Sequence, residues 1–254
     1  MPEAQQPHLD RRRAESFGSV AESYDRFRPR YPRALITGLV VRERLRVLDV
    51  GAGTGIASAQ LRAAGADVLA VEPDPRMAEI AAGKGLPVEQ AKFEDWEPRS
   101  RTFDLVVFAQ SFHWVDPREA LRKVATVLSP GGRLALLSNR FSPTAPPRQD
   151  LDDIYADFDM PHGPPIDATR RTELFALLDE CGYSLEERAE VEDLHYTTGD
   201  WLGMVFTYSN HLGLEPESRA LLRSRLETRI GTAGVTARND ALAIVCAPTD
   251  NQGR

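Results

Sequence analysis

Apolar residues along the chain fall into short runs that alternate with amphipathic stretches. The first run, Leu45–Val50, is dominated by Leu and Val and ends at Gly51. Such a run, without strict alternation, predicts a strand buried on both faces of a parallel sheet. Ile56–Ala64 has helical character and stops near Gly65, and Asp67–Val71 is a second strand closed by Glu72-Pro73. Arg76–Ala82 predicts a short helix ended by Gly83 and Gly85. Pro87–Ala91 is a weaker third strand and Phe103–Ala109 a strong fourth. Pro117–Leu128 sets Ala120, Leu121, Val124 and Leu128 on one helical face. The Ser129-Pro130-Gly131-Gly132 turn stops that helix, and Arg133–Ser138 is a fifth strand. This rhythm implies right-handed βαβ crossovers and a sheet covered by helices on both faces.

The rhythm breaks after Asn139. Phe141–Arg148 is rich in proline and predicts an irregular connection. Leu151–Phe158, Thr169–Cys181, Trp201–Ser209 and Pro216–Ile230 have helical character, Leu185–Val191 suits a sixth strand and Ala241–Ala247 a last one. The regular first half therefore carries the ligand pattern, and the second half completes the sheet around an inserted segment, about 198–234.

A length of 254 residues suits one α/β domain with an insertion. The net charge of −7 argues against a nucleic-acid partner, which needs basic stripes. No apolar run approaches a membrane span of roughly 20 residues. Residues 1–16 read as a flexible polar tail without a signal-peptide core, so the expected location is the cytoplasm. The two cysteines, Cys181 and Cys246, have no metal-type spacing, and no His/Asp/Glu cluster does either, so no metal is expected. The chain is expected to be a monomer or a homodimer.

Chemistry enters at the end of the first strand. Val47–Val50 runs straight into Gly51-Ala52-Gly53-Thr54-Gly55 and then a helix. Glycine allows a tight turn and close approach of a ligand to the backbone. The helix start adds unpaired N–H groups and the positive end of a dipole. A dinucleotide fingerprint GxGxxG needs glycine at position 56, which is Ile56; the third glycine falls at 55. Glu72 ends the second strand about twenty residues on, where a carboxylate can accept both hydroxyls of a ribose. Asp49 sits beside the loop, suited to orienting it or to holding an ammonium group through water. The pattern suits a cofactor that joins an amino acid to an adenosine.

Val47–Gly55 and Val71-Glu72-Pro73 resemble the first two motifs of class I S-adenosylmethionine-dependent methyltransferases. Phe103-Asp104-Leu105-Val106-Val107 and Leu128-Ser129-Pro130-Gly131-Gly132-Arg133-Leu134 resemble the fourth and fifth strand regions of that family, in the same order. A lone GxGxG is a weak signal, whereas four motifs in register are a strong one. The resemblance implies a Rossmann-like three-layer α/β sandwich with a seven-stranded, mostly parallel sheet whose last strand is antiparallel. It implies one domain over residues 17–250, S-adenosylmethionine as cofactor and S-adenosylhomocysteine as product. Gly51, Ala52, Gly53, Gly55, Asp49, Glu72 and Pro73 would hold that cofactor. Lys92 stands where the family often has an acidic residue on the adenine amino group. Adenine recognition would then fall to Phe93, by backbone N–H and ring, or to Glu94. Trp96 is expected to pack under that loop.

Phe17–Pro32 resembles the lead-in of a small-molecule subgroup similar to trans-aconitate methyltransferases. This implies a cap, residues 17–44, folded over the cofactor, with Tyr24 over the sulfonium and Arg28 meeting a carboxylate of cofactor or substrate. After the fourth strand comes Gln110-Ser111-Phe112-His113-Trp114, beyond the carboxyl ends of the strands where ligands bind in such sheets. Gln110 and Phe112 are candidate cofactor contacts. His113 is the candidate general base; the same position suits a residue that shapes the pocket floor. The function expected is methyl transfer to a small molecule, with a carboxylate-bearing metabolite as one class. Natural-product O-, N- or C-methylation and a non-catalytic cofactor-binding regulator are the alternatives.

Overall fold

The computed structural model describes residues 20–158, 160 and 168–249. The expected tail at 1–16, the first three residues of the cap and the end of the domain at position 250 lie outside them. Two helices open the described chain, α1 (Ala21–Phe27) and α2 (Arg33–Leu39). The regular half follows as β1 (Arg46–Val50), α3 (Ile56–Ala63), β2 (Asp67–Val71), α4 (Pro75–Gly83), β3 (Val88–Glu89), β4 (Phe103–Ala109), α5 (Pro117–Val127) and β5 (Leu128–Ser138). The second half is β6 (Phe141–Ala145), α6 (Arg148–Ala156), α7 (Ala168–Glu180), β7 (Tyr183–Tyr196), α8 (Thr198–Val205), α9 (Ser209–Leu212), α10 (Pro216–Ile230) and β8 (Val235–Pro248).

The sheet runs β3-β2-β1-β4-β5-β8-β6, with β7 paired to β8. Strands β1 to β5 pair in parallel, and β8 is antiparallel to each of β5, β6 and β7. The Rossmann-like layering with an antiparallel last strand is thus present, but the sheet has eight strands where seven were expected. The extra one is β6, from the proline-rich run read as irregular. Pro143 is tolerated because β6 pairs only with β8, and an edge strand can do without an N–H on its free side. The Ser129–Gly132 segment is likewise part of β5 rather than a separate turn. The ladder absorbs it through a register shift between Phe103 and Leu105.

Two apolar layers cover the regular half. Leu48, Val106, Phe108, Leu121, Val124 and Leu178 pack on one face, and Leu35, Leu39, Val47, Leu61, Leu105 and Val245 on the other. β8 outruns the main sheet. Its residues Leu242–Cys246 pair with β5, whereas Thr236–Asn239 pair with β6. That projecting half carries a third core of Tyr155, Trp201, Met204, Leu222 and Leu226, contributed by α6, α8 and α10. Trp201 and Met204 are therefore packing residues. The cap joins this third core through Phe27, and Gly203 on α8 has no room for a side chain: a Cβ there would stand 2.7 Å from the Phe27 ring.

Candidate active site

β1, β2 and β4 end at the same edge of the sheet, and their loops bound a cavity of about 620 Å³. Tyr24 and Arg28 from the cap segment and Tyr208 and Ser209 from the insertion also border it. Tyr24, Arg28, Gly51, Ala52, Gly53, Glu72, Pro73, Phe93, Glu94, Gln110 and His113 all line it.

The glycine loop is fixed by β2. The N–H groups of Gly51 and Ala52 both donate to the Val71 carbonyl, at 2.9 and 3.1 Å. Gly51, Gly53 and Gly55 all have positive φ, but they are glycine for different reasons. A Cβ at Gly51 would meet the Ser111 Cβ at 2.6 Å, so that position lets the β4 loop approach. A Cβ at Gly55 would meet Leu86 at 2.6 Å and Ala81 of α4 at 3.1 Å, so that glycine serves packing against α4 and the loop after it and does not line the cavity. A Cβ at Gly53 would meet nothing within 4 Å; that backbone faces open space.

Glu72 is buried against the loop. One carboxylate oxygen accepts from the Gly53 N–H at 2.7 Å and the other from the Asp74 N–H at 3.0 Å. Burial pushes its carboxyl up to about 7 despite those bonds. Asp49 is fully buried beneath the loop and does not line the cavity. One oxygen accepts from the Ser58 hydroxyl at 2.6 Å, the other has no partner among the described residues, and burial raises the carboxyl to about 6.

Beyond β3, the loop Ala91–Asp95 forms another wall, and Lys92, at the position read as often acidic in the family, lines it. The Phe93 ring packs inward, stacked on Trp96 at 6.2 Å and edge-on to Phe108 at 5.6 Å. Trp96 is buried and donates its indole N–H to Glu89 at 2.5 Å. Arg101 grips both oxygens of Glu89 and holds its carboxyl down at about 2.

The cap is latched to the glycine loop through Asp25. Its carboxylate accepts from the Thr54 hydroxyl at 2.8 Å and from Lys84, which also donates to the Thr54 carbonyl at 2.7 Å. This brings Tyr24 and Arg28 to the cavity. The Arg28 guanidinium lies between the rings of Tyr24 and Tyr208, at 4.7 and 4.1 Å. It donates to the Thr207 hydroxyl at 2.9 Å and to the Thr207 carbonyl at 3.2 Å. Among the described residues no carboxylate pairs with it.

After β4, Gln110 takes a positive φ of 58°, a conformation that costs energy for a residue with a Cβ and is common at ligand sites. Its side chain donates to the Asn139 carbonyl at 3.3 Å. Phe112 corrects the expectation: it turns away from the cavity and packs edge-on against Phe108 at 5.2 Å. The Phe112–Trp114 turn is a short 3-10 helix, so neighbouring side chains diverge and His113 alone is exposed, tilted against Trp114 at 4.6 Å. Trp114, Asn139, Tyr208 and Ser209 also line the cavity, and no motif in the sequence points to Asn139, Tyr208 or Ser209.

A model described as a methyltransferase domain matches residues 24–188. An uncharacterized methyltransferase of Mycobacterium tuberculosis is 43% identical over 127 residues, covering 49% of this chain and 52% of that protein. A trans-aconitate 2-methyltransferase of the same species is 32% identical over 120 residues, covering 46% of this chain and 45% of that protein. The chain thus spans about half the length of these curated relatives. A crystal structure of a SAM-dependent methyltransferase from Geobacter sulfurreducens in complex with S-adenosyl-L-homocysteine shares the fold. Its TM-score is 0.55 at 16% identity, over 91% of this chain and 97% of that one.

Proposed function

Because the chain belongs to the methyltransferase-domain family, we propose that its cavity binds S-adenosylmethionine and directs the methyl group to a small-molecule acceptor. The observation that carries this reading is Glu72 bound to the Gly53 N–H on the cavity wall. A carboxylate held there by two backbone donors keeps lone pairs for the hydroxyls of a ribose. The residues present fit the rest of the cofactor. Space above Gly53 is open, and the unpartnered oxygen of Asp49 lies under the loop where a cationic amino group is attracted through water.

When bound, the cofactor supplies an activated methyl and its own leaving group. The chain's task is to align and to exclude water. The Phe93–Glu94 segment faces the purine, and Tyr24 and Tyr208 cover the reacting end. Arg28 spends two of its five N–H donors on Thr207, and the remaining ones suit the planar fork of a carboxylate. This favours a carboxylate-bearing acceptor, or the cofactor's own carboxylate, at that wall. His113 bounds the acceptor side as a positioning residue; a carboxylate acceptor needs no base. A cavity of about 620 Å³ bordered by the cap and the insertion favours a small molecule over a polymer.

Calorimetry with S-adenosylmethionine tests the cofactor, and absence of binding at high micromolar cofactor by folded protein overturns the proposal. A metabolite extract incubated with isotopically labelled cofactor identifies the acceptor by the compound that gains the label.

A further inference from the structure

Lys123 stands on α5, behind the loop assigned above to the purine; the inference rests on that reading. Its ammonium donates to the Phe93 carbonyl at 2.6 Å, to the Glu94 carbonyl at 2.9 Å and to the Trp96 carbonyl. It also lies over the Phe93 ring at 5.1 Å and the Trp96 ring at 5.9 Å. An ammonium has three donors and no acceptor. Glu94, Asp95 and Glu97 are near enough to act on its charge, yet its hydrogen bonds go to the backbone.

A trans peptide points its C=O and the following N–H in opposite directions. The Phe93 carbonyl is drawn toward Lys123, so the Glu94 N–H of the same peptide faces away from it. The Lys92 carbonyl is drawn into the turn by the Asp95 and Trp96 N–H groups, at 3.1 and 2.9 Å, so the Phe93 N–H also faces away. Neither N–H has an acceptor among the described residues, and both residues line the cavity.

We propose that Lys123 is a positioning residue for cofactor recognition. By gathering the carbonyls behind the loop, it turns the Glu94 N–H, beside the Phe93 N–H that the turn itself orients, toward a ring nitrogen that accepts. Adenine has such an acceptor at N1, whereas hypoxanthine carries N1–H there and would leave two donors facing a donor. Sites with fixed donors reject such analogues because the buried groups lose their partners. Without the ammonium the clustered carbonyls repel one another and can turn toward the cavity, where they accept from N1–H.

The test is calorimetric titration of the full-length protein with S-adenosylhomocysteine and with S-inosyl-L-homocysteine, in wild type, Lys123→Met and Lys123→Arg. Wild type should prefer the adenine compound by about tenfold or more, the value of one good hydrogen bond. Lys123→Met should weaken S-adenosylhomocysteine by about tenfold and shrink the preference to about threefold or less, and Lys123→Arg should restore most of it. The ratio of the two affinities does not depend on the folded fraction, so simple loss of stability leaves it unchanged. If Lys123→Met does not fold, Lys123→Gln carries the same ratio test. A Lys123→Met or Lys123→Gln variant that keeps the wild-type preference overturns the role of Lys123. Absence of S-adenosylhomocysteine binding in wild type instead overturns the cofactor reading and, with it, this inference.

Discussion

The two walls of the cavity are made in opposite ways. The wall assigned to the cofactor comes from loops that leave neighbouring parallel strands, and its central contact joins Gly53 to Glu72 across one βαβ unit. β1, between β2 and β4, is paired on both sides, so the loop starts from a rigid base. The wall assigned to the acceptor joins Arg28 of the cap to Thr207 of the insertion, 179 residues apart. One wall is written in contiguous motifs; the other exists only when the third core packs. The difference separates what all chemistry at this edge needs from what the acceptor needs, so the second wall can change without disturbing the first.

The sharpest break in that contrast comes from the glycines. Gly51→Ala should cost about 2–4 kcal/mol of stability, from a positive φ and a clash with Ser111. Gly53→Ala should cost only about 1–2 kcal/mol, since only φ opposes it. Yet it should weaken S-adenosylmethionine more than its stability loss explains. Thermal unfolding and calorimetry on both variants check the pair; equal losses would undo the assignment of Gly53 to the ligand.

Glu72→Ala should weaken the cofactor by about 2–3 kcal/mol, the value of hydrogen bonds to a charged group, or roughly 30- to 150-fold in Kd. It also carries a pH signature. Burial raises Glu72 from 4.5 to about 7 and Asp49 from 3.8 to about 6, so the folded apo protein binds more protons than the unfolded chain between those limits. These two groups therefore make apo stability fall as pH rises from about 4 to 7. Ribose hydroxyls donate best to the carboxylate, so cofactor binding should release protons near pH 6.5 and tighten toward pH 8. Titration in buffers of different ionisation enthalpy measures the release, and Glu72→Gln should abolish most of it.

On the other wall, Arg28→Met should weaken carboxylate-bearing ligands about tenfold, one charge-assisted hydrogen bond's worth, while adenosine binding changes less than twofold. An equal loss for adenosine would show that the two walls are not independent. The smallest effect is expected at His113. His113→Ala should lower turnover of the identified acceptor by less than tenfold, below the range of general-base catalysis. A hundredfold loss would make His113 the base.

The sequence alone determined the parallel half of the sheet and the wall attached to it. The signals there are local: apolar runs mark β1, β2 and β4, and Gly51, Gly53 and Glu72 lie at fixed distances from strand ends. Only the tertiary structure decided the rest. β6 is a strand because β8 projects far enough to pair with it, which a proline-rich run cannot announce. Gly55 belongs to packing because Ala81 of α4 and Leu86 press on it, and Phe112 to the core because a 3-10 turn directs it there. Tyr208 and Thr207 reach Arg28 through α8 packed on Phe27 at Gly203. The glycine spacing is encoded within one turn of chain; the acceptor wall is a meeting of distant segments, and burial rather than spacing brings them together.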